Sequence, residues 1–338
     1  MFKLQIKYLS FFFGIVSILS FFNILYSYYF NLYLNLDTYY FTLVTSLILF
    51  IVLFKFGKYD FKSNIFEKIL TIFLGYLLIP LVLSIPFYFS IYNLTFSNSF
   101  FEAISGFTST GFTVFENVKL IDQSLIIWRS STQWIGGLYF LFSIIYLIDI
   151  YDDSFKKTLT NFLSFNSSEI LKQATKIFIL YSSLTVLIFG VLNIFSIRTF
   201  DSLNLALTII SSGGFLPVNE LSMIIKENVQ IIIFSLLMLF SFFSLFFSYN
   251  LIFLRKKNLN FFYEDLHLFA YLVVVVTIFF LFFSFNYDFF INLFAVISSM
   301  TNIGFSLSSG QENLNFIYLI LVIIGGSFFS TSSGLRFI

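Results

Sequence analysis

The sequence predicts an all-α polytopic membrane protein built from repeated helix, pore-loop and helix units, two complete and a third incomplete, after two extra N-terminal helices. Three observations predict it. Of 338 residues, 59% are hydrophobic and only 10% charged, with mean hydropathy +0.95, which is more apolar surface than a water-soluble core can bury. Apolar runs long enough to cross the hydrocarbon core recur along the chain. Between them, three times, a shorter run ends in a Ser/Thr/Gly knot closed by Gly-Phe.

Lys3 and Lys7 precede the first apolar run, an arrangement that invites a signal-peptide reading. The run is about 20 residues, too long for a signal core, and no small-residue cleavage site follows, so it reads as a retained transmembrane helix. Eight spans are predicted: Leu9–Phe30, Tyr39–Phe56, Ile69–Phe89, Ser124–Ile148, Ile177–Ser196, Val229–Leu254, Leu268–Phe285 and Phe316–Phe329. Shorter runs at Phe100–Phe107, Phe200–Ile210 and Phe289–Met300 cannot cross and fit re-entrant helices, after which the chain returns extended to the same side. The knots that follow read Thr108-Ser109-Thr110-Gly111-Phe112, Ser211-Ser212-Gly213-Gly214-Phe215 and Thr301-Asn302-Ile303-Gly304-Phe305. The resulting organisation is two N-terminal helices in 1–62, a first pore-loop repeat in 63–155, a second in 156–258, and a third in 259–338 that ends within its second helix.

Charge placement tests this topology, because cytoplasmic loops carry excess Lys and Arg. With the N-terminus inside, one side holds Lys3, Lys7, Lys55, Lys58, Lys62, Lys68, Lys156, Lys157, Lys172, Lys176, Arg255, Lys256, Lys257 and Arg336, and the other only Lys119, Arg129, Arg198 and Lys226. All three knots then fall on the poorly basic outer side, and they do so only if the short runs are re-entrant.

The same composition excludes several function classes. Net charge is +1, which gives no nucleic-acid footprint. Cysteine is absent and His267 is the only histidine, so disulfides, thiolate sites and histidine-based metal or triad chemistry have almost no material. With no carboxylate pair, nucleophile–base arrangement or metal-ligand spacing that reads as catalytic, the chain is not expected to be an enzyme. The 55 Phe read as packing residues under a compositional bias. His267 reads as a membrane-interface residue, and Asp149, Asp152 and Asp153, beside Lys156 and Lys157, as a solvated loop.

A dehydrated alkali cation needs several oxygens to replace its hydration shell, and rings of backbone carbonyls can supply them. Aiming successive carbonyls at one axis requires conformations that a Cβ disfavours, the physical case for Gly111, Gly214 and Gly304. Hydroxyls at Ser109, Thr110, Ser211, Ser212 and Thr301 can bond neighbouring backbone or add a ligand. The carbonyl end of each short helix would face the ion with a favourable dipole. Small-residue turns of this kind also occur as ordinary loops or helix contacts; three of them, on one side and with one ending, favour the filter.

Three segments resemble the Trk/Ktr/HKT family of cation transporters, in its bacterial TrkH-type branch. Phe101-Glu102-Ala103-Ile104-Ser105-Gly106-Phe107-Thr108-Ser109-Thr110-Gly111-Phe112 is similar to the family's first filter. Trp128-Arg129-Ser130-Ser131-Thr132-Gln133-Trp134-Ile135-Gly136-Gly137 resembles the signature opening the next helix. Gly325-Gly326-Ser327-Phe328-Phe329-Ser330-Thr331-Ser332-Ser333-Gly334-Leu335-Arg336 resembles the small-residue motif that breaks the second helix of the third repeat and forms an intramembrane gate. The chain departs from the pattern at Asn302-Ile303, where Thr-Thr is usual, and at Phe328-Phe329 and Ser332-Ser333, where Gly or Ala is common.

The resemblance implies a potassium or sodium filter at Thr110, Gly111, Phe112, Ser212, Gly213, Gly214, Ile303, Gly304 and Phe305, with potassium as transported ligand at the carbonyls of Thr110, Gly111, Gly214 and Gly304. It implies a gate loop containing Gly325, Gly326, Ser330, Thr331, Ser332, Ser333, Gly334 and Arg336. It further implies no bound cofactor, a homodimer in the lipid of a bacterial plasma (inner) membrane, filters facing outside, and a separate cytosolic nucleotide-binding regulatory subunit (TrkA-like). Family members have four repeats, and the filter glycines here stand 103 and then 90 residues apart. A fourth would lie beyond Ile338, so the chain is expected to be a fragment of a longer reading frame or a truncated remnant. The alternative reading is a secondary solute transporter whose broken helices bind substrate at the midplane.

Individual charges stay open at this level. Arg129 could steer cations or anchor its helix at the headgroups. Glu102 could attract cations at membrane depth or cap the first short helix. Arg336 matches the family's basic residue after the gate motif or serves as a positive-inside anchor.

Overall fold

Helices account for every regular element among the described residues, apart from one isolated parallel bridge between Ile324 and Leu335. The computed structural model describes residues 7–57, 64–147, 170–252, 263–283, 289–307 and 315–336. Lys3, Lys58, Lys62, Asp149, Asp152, Asp153, Lys156, Lys157, Arg255, Lys256 and Lys257, and the repeat boundaries at 62/63, 155/156 and 258/259, lie outside them. The chain forms two compact units, Met1–Ile177 and Phe178–Ile338.

In the first unit, α1 (Lys7–Tyr29) and α2 (Leu36–Phe56) pair as a hairpin. Ser20 Oγ donates to the Tyr39 carbonyl at 2.7 Å, removing a hydroxyl that lipid could not satisfy. α3 (Ile65–Leu83) starts where the Asn64 amide donates to the Glu67 carboxylate at 3.3 Å, and one turn, α4 (Ile85–Tyr88), continues it past Ser84. The first short helix, α5 (Phe96–Phe107), is capped by Thr95, whose Oγ1 accepts from the Asn98 amide at 3.3 Å. At about 1.5 Å per residue its 12 residues reach only about 18 Å, well short of the hydrocarbon thickness.

At the centre of this unit stands α6 (Gln123–Tyr146), buried on nearly every face and packed on α1, α3 and α5. Two of its ring side chains bond distant backbone: Trp128 Nε1 donates to the Leu83 carbonyl at 3.0 Å and Tyr139 Oη to the Ile72 carbonyl at 2.9 Å. Aromatic edges of Phe12, Tyr76 and Phe107 close around the Tyr139 ring.

The second unit takes up most of α7 (Ile170–Ile194) and continues with α8 (Thr199–Ser211), α9 (Asn228–Phe242), α10 (Leu245–Ile252), α11 (Tyr263–Phe283), α12 (Phe289–Met300) and α13 (Asn315–Ile323). Phe242, Leu268, Leu272, Val296, Met300 and Leu321 form its apolar centre.

Five helical segments among the described residues are long and apolar enough to cross a membrane: Lys7–Tyr29, Leu36–Phe56, Ile65–Tyr88, Lys172–Ile194 and Tyr263–Leu281. Three of the eight expected spans differ, each for a physical reason. α6 falls short in hydropathy because protein rather than lipid surrounds its Arg, Gln, Ser and Thr. The expected Val229–Leu254 span breaks at Phe243-Ser244 into α9 and α10. The expected Phe316–Phe329 span is helical only as far as Ile323, where the Gly325-Gly326 pair begins an irregular loop. The three short runs fold as α5, α8 and α12, close to the expected bounds.

Candidate functional site

Each short helix ends in the same backbone turn. The residue leaving the helix is left-handed, Ser109 and Ser212 at φ +55° and Asn302 at +59°, and two residues later Gly111, Gly214 and Gly304 stand at +80°, +84° and +77°. A non-glycine residue in that region is strained unless its side chain is short and polar, which explains Asn at a place where the family pattern has Thr. Sequence reasoning picked out the glycines but missed these three left-handed residues, for which the Ser/Asn identity two places earlier is the signal. An ideal Cβ on Gly304 would meet nothing within 4 Å. Gly304→Ala should therefore cost only backbone strain, about 1–2 kcal/mol, read as a lowered unfolding midpoint in detergent without loss of folded protein.

Hydroxyls from the short helices hold two of the turns from behind. Ser105 Oγ donates to the Phe112 carbonyl at 2.6 Å, and Ser298 Oγ, in the corresponding place, to the Phe305 carbonyl at 2.7 Å. At that place in the second turn stands Thr208, whose hydroxyl is buried without a partner. This turn is held instead by Ser212 Oγ, which donates to the Thr301 carbonyl at 2.7 Å and so ties it to the third. Among the described residues nothing donates to the carbonyl oxygens of Thr110, Gly111, Gly214 or Gly304. The flanking phenylalanines are not equivalent: Phe112 is 69% exposed, whereas Phe215 and Phe305 are 2% and 4%.

Behind the first turn, Glu102 of α5 and Arg129 of α6 form an ion pair, Nε to Oε1 at 2.7 Å, with side-chain exposures of 0% and 2%. Glu102 also accepts from Thr113 Oγ1 at 3.0 Å and from the Val114 amide at 2.9 Å, and Arg129 Nη2 donates to Thr113 Oγ1 at 3.1 Å. The Phe115 ring covers the guanidinium at 5.6 Å. This overturns the headgroup-anchor reading of Arg129: a guanidinium closed inside protein cannot reach lipid phosphate, and its charge is balanced by Glu102. Nor does Glu102 cap α5, since Thr95 does that.

The same pair of helices explains part of the Trp-Arg-Ser signature. An ideal Cβ on Gly136 would lie 1.8 Å from the Phe107 carbonyl oxygen. Only glycine lets the end of α5 seat on α6.

In the second unit, residues 324–336 form a closed loop. The Gly325 amide donates to the Leu335 carbonyl at 2.9 Å and the Leu335 amide to the Ile323 carbonyl at 2.8 Å. Arg336 turns inward, donating to the Ser327 carbonyl at 2.6 Å and Ser330 Oγ at 2.8 Å; its donors serve the loop rather than a headgroup. Gly334 adopts φ +94°, and a Cβ on Gly325 or Gly326 would lie 2.3 Å from the Ser333 or Phe242 carbonyl oxygen. The bulky departures are accommodated, Phe329 stacking on Phe246 at 5.0 Å.

This loop contacts the turns directly. Thr331 Oγ1 donates to the Ile210 carbonyl near the end of α8 at 2.7 Å, and Asn302 Nδ2 to the Ser333 carbonyl at 3.0 Å. It also repairs the break between α9 and α10, where the Ser327 amide donates to Phe242 O at 2.9 Å, the Ser332 amide to Ser241 O at 3.0 Å, and the Leu245 amide to Phe329 O at 2.9 Å. Two adjacent carboxylates complete the joint: Asp265 accepts from the Ser244 amide and hydroxyl at 2.8 and 2.7 Å, and Glu264 from the Phe328 amide. Neither is singled out by the sequence reading above, although two acids opening an apolar helix are the available signal. His267 lies exposed on α11, its Nδ1 2.6 Å from the Tyr263 carbonyl oxygen.

No family model matches the chain. An uncharacterized cation transporter of Methanocaldococcus jannaschii is 27% identical over 281 residues, 78% of this chain and 56% of that protein. The Trk system potassium uptake protein TrkH of Halomonas elongata is 25% identical over 263 residues, 72% of this chain and 54% of that protein. The chain spans about half the length of these relatives. In fold it is similar to the crystal structure of the potassium transporter TrkH from Vibrio parahaemolyticus, with TM-score 0.82 and 18% identity over 99% of this chain and 73% of that one. In sequence the chain is thus similar to Trk-type cation transporters, and in fold to TrkH.

Proposed function

We propose that the protein moves potassium, or sodium, across a bacterial plasma membrane as the pore-forming subunit of a Trk-type uptake system, with backbone carbonyls as the filter ligands. The observation that carries this reading is the thrice-repeated turn, in which a left-handed residue and a left-handed glycine follow a short helix and leave the carbonyls of Thr110, Gly111, Gly214 and Gly304 without a protein donor. A bare carbonyl at membrane depth is costly unless water or a cation takes its place. On this reading the N-terminus is cytoplasmic, the turns face outside, residues 324–336 act as the gate, and a homodimer docks a separate cytosolic nucleotide-binding subunit.

The experiment is rubidium uptake by potassium-uptake-deficient cells expressing the full-length protein. Uptake that saturates with rubidium and is competed by potassium is expected, and Gly111→Ser should lower the rubidium-to-sodium uptake ratio about tenfold, the equivalent of one lost carbonyl ligand. Absence of cation flux at every concentration, with the protein present in the membrane, would overturn the reading.

A further inference from the structure

We propose that the buried Glu102–Arg129 pair, with Thr113 bonded to it, is the positioning device of the first filter turn and sets how strictly that turn selects among cations. The inference rests on the carbonyl-filter reading above and deepens it. Glu102 reaches from α5 across to the chain that leaves the turn, where it holds Thr113 and Val114, two and three residues beyond Gly111. Ser105 holds the Phe112 carbonyl between them. Every residue from Phe112 to Val114 is thereby bonded to α5 or to its ion pair with α6. A carbonyl ligand discriminates between ions of different radius only if its position resists collapse onto the smaller one, so bonds immediately downstream of Gly111 act on selectivity.

The cluster is particular to this turn. Nine residues before their glycines, in the place of Glu102, the second and third turns carry Leu205 and Ala295, and α9 and α13 contain no charged residue. A charge pair this deeply buried is expensive to assemble. Packing alone would be served by the apolar residues found at the other two turns. Glu102, Arg129 and Thr113 touch no ion themselves; they are positioning residues, acting through the backbone of Thr113 and Val114.

The test uses the full-length protein in potassium-loaded and sodium-loaded proteoliposomes, reading the rubidium-to-sodium flux ratio alongside the amount of folded protein. Thr113 is exposed at the surface of the chain, so Thr113→Val removes only the hydroxyl that joins the pair to the turn; the ratio should fall about threefold, and Thr113→Ser should restore it. Glu102→Gln with Arg129→Gln removes both charges together, leaving neither unpaired, and should lower the ratio about tenfold. A wild-type ratio in Thr113→Val would overturn the inference even if the double variant does not fold. Failure of the wild-type protein to pass any cation would instead overturn the proposed function, so the two failures are distinguishable.

Discussion

Gly136→Ala should leave little or no folded protein. The added methyl carbon would sit 1.8 Å from the Phe107 carbonyl oxygen and 2.5 Å from its carbonyl carbon. Both atoms are backbone, so no rotamer change relieves the overlap. Either α5 lifts from α6 or α6 shifts within the ring formed by α1, α3 and α5, and both move the turn that begins at Thr108. Overpacking of this kind costs about 3 kcal/mol or more when backbone must move. The measurement is the unfolding midpoint and monodisperse yield in detergent, with Gly190→Ala as the companion. Gly190 has nothing within 4 Å of its Cβ position and lies inside α7, so alanine there should stabilise by about 0.5–1 kcal/mol. Equal behaviour of the two variants would mean that α5 does not seat on α6 through Gly136.

Arg129→Met should destabilise the first unit by about 3–5 kcal/mol, the penalty for leaving one partner of a buried pair charged and alone. Glu102 is fully buried and would keep only Thr113 and the Val114 amide as donors. Combining Arg129→Met with Glu102→Gln should recover most of the loss, because replacing both members removes the stranded charge. A double-mutant cycle on unfolding free energy checks this: strong coupling is expected, and additive effects within about 0.5 kcal/mol would show that the two side chains act independently.

Much of the candidate site was legible in the sequence because its causes are local. Gly111, Gly214 and Gly304 repeat against a background of Phe and Ile, and a glycine before Phe at the end of a short apolar run has a backbone reason to be there. The left-handed Ser109, Ser212 and Asn302 have an equally local cause but a weaker signal, since serine and asparagine also occupy ordinary turns. Neither role the sequence offers for Arg129, steering or anchoring, includes a buried pair, because its position at the outer start of an apolar run is where anchoring arginines stand. Nothing in a linear sequence shows that Glu102, 27 positions earlier, comes back to meet it. The break after α9 is illegible for a related reason: the Leu237–Phe247 stretch is apolar but for Ser241 and Ser244, and what opens its helix is Asp265 bonding Ser244 and the loop amides of Ser327 and Ser332 bonding Phe242 and Ser241.

The sequence by itself determined the class of the molecule, an apolar chain with long helices, three short ones and glycine turns after each, because hydropathy, helix length and glycine conformational freedom are properties of residues and their near neighbours. Only the tertiary structure decided how polar groups inside that apolar chain are paired: Glu102 with Arg129, Asn302 with Ser333, Thr331 with Ile210, Asp265 with Ser244. In lipid an unpaired polar group is penalised heavily, so these groups had to find partners, and partners distant in the chain can be named only once the fold has brought them together.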